Sequence, residues 1–153
     1  MKKLNPEYVE KIMAVTNACN FFQLMRMQFE KLSWGEAEIL VSAGEKHLQP
    51  YGIVHGGVCA SIIDAACFWA VFSQAPEDAG ITTVDLKLNY LAPVVSGVLH
   101  ARGACIKLGK TMGLGSATVY RDDGSMVAHG TSTVMLLPGM ELAGGMPKVP
   151  KYI

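Results

Sequence analysis

Tyr51-Gly52-Ile53-Val54-His55-Gly56-Gly57-Val58-Cys59-Ala60-Ser61-Ile62-Ile63-Asp64-Ala65-Ala66-Cys67-Phe68-Trp69-Ala70-Val71-Phe72 carries a single ionisable carboxylate, Asp64, in its apolar half. From Val58 to Phe72 the residue types suit a helix buried nearly all round, and Pro76 forbids its continuation beyond Gln74-Ala75. A buried charge without compensation costs several kcal/mol, so a chain that keeps one uses it or pairs it. Two glycines and a histidine stand seven to nine residues upstream, where the helix begins. That conjunction points to a reactive centre.

Outward from this helix the chain divides into recognisable elements. Asn5-Pro6-Glu7 is a helix start, with a cap, a proline in the first turn and an acid at the positive end. Tyr8, Val9, Ile12, Met13 and Thr16 keep helical spacing, which predicts a helix over about 6–17. Met25, Met27 and Phe29 alternate with polar residues, as do Ala37, Ile39 and Val41, with Ser33-Trp34-Gly35 as the turn between two strands. After the helix, four strands are expected at roughly 82–91, 97–108, 112–121 and 125–137. Asp123-Gly124 turns the last pair, and Gly109-Lys110 the pair before it. The Gly- and Pro-rich stretch 138–153 is expected to be a loosely ordered tail. One α+β domain over 1–153 follows, its core at about 24–137, with a sheet curled around a helix.

Length and composition narrow the function. A chain of 153 residues builds one real core. Charged residues make up 17%, against roughly 25% in an average globular chain, while apolar residues reach 50%. This surplus suggests burial beyond the single chain, hence an oligomer. Net charge is zero, with no basic run, so nucleic acid and anionic membrane are poor partners. Cys19, Cys59, Cys67 and Cys105 lack Cys-x-x-Cys spacing, and His47, His55, His100 and His129 lack ligand spacing, so no metal site is expected. Lys2-Lys3 leads into an amphipathic stretch without an apolar signal, and a reduced, cytoplasmic compartment is the expectation.

Several residues have the chemistry of a site. The amides of Gly56 and Gly57, at the positive end of the helix, suit a polarised carbonyl or oxyanion; alternatively the glycines only permit tight packing. His55 donates to the same oxygen or caps the helix. Asp64 is a general base or nucleophile, or a buried acid tied to a hydroxyl or backbone group. Seven residues separate Gly57 from Asp64, about 10.5 Å along one helix face. A carbonyl held at Gly57 must lie within roughly 3.5 Å of its attacker, directly or through one water. One helix therefore cannot supply both groups, whereas an antiparallel second copy can, which implies a two-fold dimer with composite sites.

The run Gly52-x-x-His55-Gly56-Gly57 followed by Asp64 resembles the hotdog-fold acyl-CoA thioesterases, in particular the phenylacetic-acid-degradation (PaaI-like) branch. Thr82-Thr83-Val84-Asp85-Leu86-Lys87-Leu88-Asn89-Tyr90-Leu91-Ala92-Pro93 is similar to the strand after the family helix, and Gly130-Thr131-Ser132-Thr133 to its last strand. The resemblance runs from about Phe29 to Leu137. It implies a curved antiparallel sheet around one long helix, dimers with a continuous sheet, often paired into tetramers, and hydrolysis of an acyl-CoA to acid and CoA without metal or cofactor. It further implies that Gly57 polarises the carbonyl, His55 supports that corner, the partner subunit's Asp64 attacks or activates water, and Thr83 orients the water. Gln49 stands where many relatives have asparagine, and with Gly56 it belongs to the substrate-binding side. Alternation places Val84, Leu86 and Leu88 on the core face and Thr83 off it, so Thr83 enters through the resemblance alone. Rival readings are a non-catalytic acyl-CoA-binding module, against which Asp64 argues, and a hotdog dehydratase or hydratase, whose histidine–acid motif is absent.

Overall fold

The computed structural model describes residues 2–153. Helix α1 spans Pro6–Ala18, α2 Asn20–Met25, and α3 Gly56–Phe72; the strands are β1 Met27–Ser33, β2 Glu36–Ala43, β3 Ala79–Tyr90, β4 Gly97–Leu108, β5 Met112–Arg121 and β6 Met126–Pro138. All strand pairs are antiparallel, in the order β1-β2-β4-β5-β6-β3. The sheet curves around α3, which packs against every strand, as expected for the hotdog fold. No helix among the described residues is long and apolar enough to cross a membrane.

The sequence explains the packing of α3 on the sheet. Ile62, Ile63, Ala66, Cys67, Ala70 and Val71 are fully buried. Backbone meets backbone here: a Cβ on Gly103 of β4 would sit 2.3 Å from the Ala66 carbonyl oxygen, so only glycine fits. The helix is not buried all round, however. Ala60, Ser61, Asp64, Ala65 and Phe68 are only partly buried. These residues follow the i, i+4 spacing of one helical stripe, which the curled sheet leaves uncovered.

Three further expectations need correcting. Helix α2 is a helix the sequence pattern does not announce, and it takes in Met25, expected as the first residue of an extended run, so β1 begins at Met27. It has six residues, starts after an extended Cys19 and stops at Arg26, which has φ 55° in the left-handed region. A helix this short has little periodicity to betray it.

Strand β3 departs from simple alternation. Thr83 pairs with Val134 and Asp85 with Thr133, so Val84 is an extra residue, a β-bulge. Before the bulge the odd residues Ala79, Ile81 and Thr83 face inward; after it the even residues Leu86 and Leu88 do. Val84, expected in the core, is 48% exposed, and Thr83, expected outside, points in.

The tail is fixed at its end. Leu4 and Tyr152 form a β-bridge, and the Asn5 amide donates to the Lys151 carbonyl at 2.9 Å. Lys151 is 1% exposed, its Nζ donating to the carbonyls of Phe72 (2.6 Å) and Ala75 (2.8 Å) beyond the end of α3. The Phe72 carbonyl is one that a helix end leaves without an intrahelical partner. At the C-terminal end of α1, the Asn17 side chain accepts from the Phe29 amide (2.6 Å) and donates to its carbonyl (3.2 Å), tying α1 to β1.

Candidate active site

The site residues of α3 belong to two different openings. Near its N-terminus, a cavity of about 450 Å³ is lined by Gln49, Gly56, Cys59, Tyr90, Pro93 and others. Around its middle, a second cavity of about 380 Å³ is lined by Asp64 with Phe22, Met27, Phe68, Trp69 and others. Gly56 and Asp64 therefore face separate spaces within one chain.

At the first opening, His55 is the N-cap of α3, and its Nδ1 accepts from the Gly57 amide at 2.8 Å. The imidazole thus occupies the donor expected for a carbonyl, which is the capping alternative for His55. Nδ1 as acceptor places the ring proton on Nε2. A Cβ on Gly57 would lie 2.9 Å from His55 Nδ1, the one side chain among the described residues that it would meet. Gly56 lies under the Tyr90 ring, where a Cβ would come within 2.7 Å of Cζ. Gln49 folds back on its own loop: its Oε1 accepts from the Tyr51 amide, and its backbone bonds to Ile53 and Gly52. Its extra methylene is absorbed by this turn.

At the second opening, Asp64 Oδ1 accepts from Thr83 Oγ1 at 2.8 Å and from Ser132 Oγ at 3.3 Å. Two hydroxyl donors on one oxygen hold the carboxylate in place and fix its plane. Oδ2 has no partner among the described residues. The bulge at Val84 is what turns Thr83 towards α3. Ser132 was not singled out by sequence, though a signal existed: it interrupts the inward-facing stripe Gly130, Val134, Leu136 of β6. The aromatic residues around Asp64 carry no such signal, because Phe21 and Phe22 lie on α2, a helix too short to show periodicity.

Neighbouring thiols take no part in nucleophilic chemistry. Burial pushes Cys59 up to about 11 and Cys67 up to about 12, the Asp64 charge adding to the second. His47 is structural: Nδ1 accepts from the Gly44 amide (2.9 Å) and Nε2 donates to the Met25 carbonyl (2.8 Å), anchoring the loop before α3.

A carboxylate beside an apolar pocket, one oxygen held and one free, is equipped to activate water or to attack a carbonyl. The same chain carries a donor-rich helix start two turns away.

Comparison with known proteins agrees. The family model described as "Thioesterase superfamily" matches residues 51–128. Acyl-coenzyme A thioesterase 13 of Homo sapiens is 25% identical over 138 residues, 87% of this chain and 96% of that protein. The crystal structure of a thioesterase family protein from Silicibacter pomeroyi superposes with a TM-score of 0.78 at 29% identity, covering 86% of this chain and 99% of that one. A Haemophilus influenzae thioesterase shares the fold at a TM-score of 0.79 and 18% identity, over 88% and 94% of the two chains. The match spans the glycine pair, the helix and the β3 edge, and the chain belongs to the thioesterase superfamily, hydrolases acting on thioester bonds.

Proposed function

We propose that the protein hydrolyses an acyl-CoA thioester to free acid and CoA, at sites shared between two copies of the chain. The observation that carries this reading is Asp64, held by Thr83 and Ser132 with one oxygen free at the mouth of an apolar pocket. Similarity to an acyl-coenzyme A thioesterase over 87% of the chain supports the CoA thioester as substrate. A binding module has no use for a carboxylate so oriented.

The composite arrangement rests on distance and on the sheet edge. Gly57 and Asp64 are about 10.5 Å apart along α3, and Gly56, next to Gly57, opens on a different cavity from Asp64. Strand β3 is the outer strand next to β6, with exposed Val84 and Tyr90 along it. Pairing two β3 edges about a two-fold axis sets two copies of α3 antiparallel, so that Gly57 of one chain meets Asp64 of the other. The substrate carbonyl displaces the His55 imidazole from the Gly57 amide and takes its hydrogen bond. Asp64 then removes a proton from the attacking water, or attacks directly. Thr83 orients Asp64, and its hydroxyl oxygen remains able to accept from the water. Gln49 keeps the loop before α3 in place. The dimer is the minimum unit and a dimer of dimers the expected one, in the cytoplasm, where the free thiols of Cys19, Cys59, Cys67 and Cys105 stay reduced.

The test is release of CoA from a panel of aryl- and fatty-acyl-CoAs, followed by its thiol. Asp64→Asn keeps the shape of the side chain and should lose at least about a hundredfold in kcat while still binding acyl-CoA. Turnover retained by this variant removes Asp64 from the mechanism.

A further inference from the structure

A cavity of about 520 Å³ opens between the segment before α1, α1 itself and the β1–β2 hairpin, and no residue of the candidate active site lines it. Leu4, Val9 and Leu32 supply its apolar lining, and Trp34 stands at its rim, 40% exposed. Lys2, Lys3 and Glu10 complete the rim. Small-molecule sites have this size, roughly 300–1,000 Å³.

The wall is held by residues distant in sequence. Lys3 and Ile153 exchange backbone hydrogen bonds (3.2 and 2.9 Å), and Leu4 bridges Tyr152. Trp34 meets the Tyr152 ring edge-on at 5.6 Å, and Lys2 Nζ lies over that ring at 5.1 Å. The Tyr152 hydroxyl donates to the Ser73 carbonyl at 3.2 Å, just beyond the end of α3. The Gly35 amide, next to Trp34, donates to Ser73 Oγ at 2.7 Å. One anchored ring thus sets an indole and an ammonium side by side. They lie at the C-terminal end of α3, a helix of 17 residues. The glycine pair starts that helix, about 25 Å away.

Charge at the rim is unbalanced. Among the described residues neither Lys2 nor Lys3 has an acid at ion-pair distance, while Glu7 is taken by Lys11 at 2.7 Å. Two ammonium groups against one carboxylate, Glu10, leave one positive charge. Such a rim complements a single carboxylate, and Glu10 works against a polyanion such as CoA. Ser33 turns its hydroxyl to Glu36 at 3.3 Å, so the body of a guest meets apolar surface and the indole.

We infer that this cavity binds an alkyl carboxylate, its head between Lys2 and Lys3 and its chain across Leu4, Val9, Leu32 and Trp34. Removing the chain from water drives the binding, and the two ammonium groups select the head. The site is defined by its own residues and stands whether or not the protein hydrolyses thioesters.

The two tryptophans report on two places, Trp34 on this cavity and Trp69 on the one beside Asp64. Their indole N–H signals are followed by NMR, assigned with Trp34→Phe, while decanoate is added below its micelle concentration. The Trp34 signal should shift saturably. In the double variant Lys2→Glu/Lys3→Glu, which alters only exposed side chains, the concentration at half-saturation should rise about tenfold or more. The Trp69 response should stay the same. Decyltrimethylammonium, with the same chain and the opposite charge, should not saturate Trp34 at these concentrations. An unmoved Trp34 signal, an equal response to both amphiphiles, or an equal response in the double variant overturns the inference. So does a Trp34 signal that responds to phosphatidylglycerol vesicles and not to decanoate, which would make the patch a membrane contact.

Discussion

Thr83 Oγ1 reaches Asp64 Oδ1 at 2.8 Å only because one extra residue, Val84, reverses the alternation of β3. The hydroxyl that orients the carboxylate and the leucines that seal the core, Leu86 and Leu88, sit on opposite parities of one strand. The bulge lets both face inward.

Thr83→Val replaces this hydroxyl by a methyl group of the same shape. It removes a hydrogen bond to a charged group, worth about 1.5–3 kcal/mol, and kcat should fall about tenfold or more with KM little changed. Thr83→Ser should keep most of the activity. Steady-state kinetics of the two variants decide it: equal loss in both would show that the hydroxyl is not what matters.

Complementation examines the composite site. Unfolded Asp64→Asn chains and Gly57→Val chains are mixed and refolded together. With random pairing half the dimers are mixed, each with one intact site of two, so activity should return to about a quarter of wild type. Each parent alone stays inactive. Mixed dimers without recovery would place the whole site within one chain, provided that the milder Gly57→Ala variant retains its fold.

The His55 cap has a stability cost of its own. Its Nδ1 satisfies the Gly57 amide, and His55→Ala should lose about 1 kcal/mol, lowering the melting temperature by about 2–4 °C. His55→Asn, another cap former, should restore most of it. A melt unchanged in His55→Ala would mean that water serves the amide equally well.

Lys151 makes stability depend on pH. Burial holds its ammonium down to about 7 from 10.5, outweighing the pull of Glu77. Between those values the unfolded chain carries a proton that the native one lacks, so stability rises with pH from about 7. The thiols act the other way: Cys59 and Cys67 stay protonated in the fold, raised from 9.0 to about 11 and about 12, so stability falls as pH climbs beyond 9. Thermal melts in reductant should show a gain of about 2 kcal/mol between pH 7 and 9, then a decline. Lys151→Met should flatten the rise. A rise that persists in this variant would assign it to other groups.

Asp64 and the glycine pair stand out in the sequence because a lone charge in an apolar helix, and two glycines at its start, are rare combinations. The strands from β3 onward are equally plain, since turn residues such as Asp123-Gly124 separate them. Orientation within β3 is hidden, because Val84 is as good a strand residue as any and nothing local announces that it is unpaired. Helix α2 is hidden by its brevity, and with it the aromatic wall of the pocket. Ser132 was readable as a polar residue on an apolar parity. The meeting of Lys151 with the end of α3 joins residues 79 positions apart, and no local pattern encodes such a contact.

The Asn17 side chain has a consequence for how sheets of this protein meet. A six-stranded open sheet has two borders, and either one is a template for another chain. At β1 the amide of Asn17 imitates a neighbouring peptide, taking both hydrogen-bonding groups of Phe29. Among the described residues, no side chain covers the outer border of β3 in this way. A border blocked in this way works against adding copies head to tail, the route to open-ended fibres.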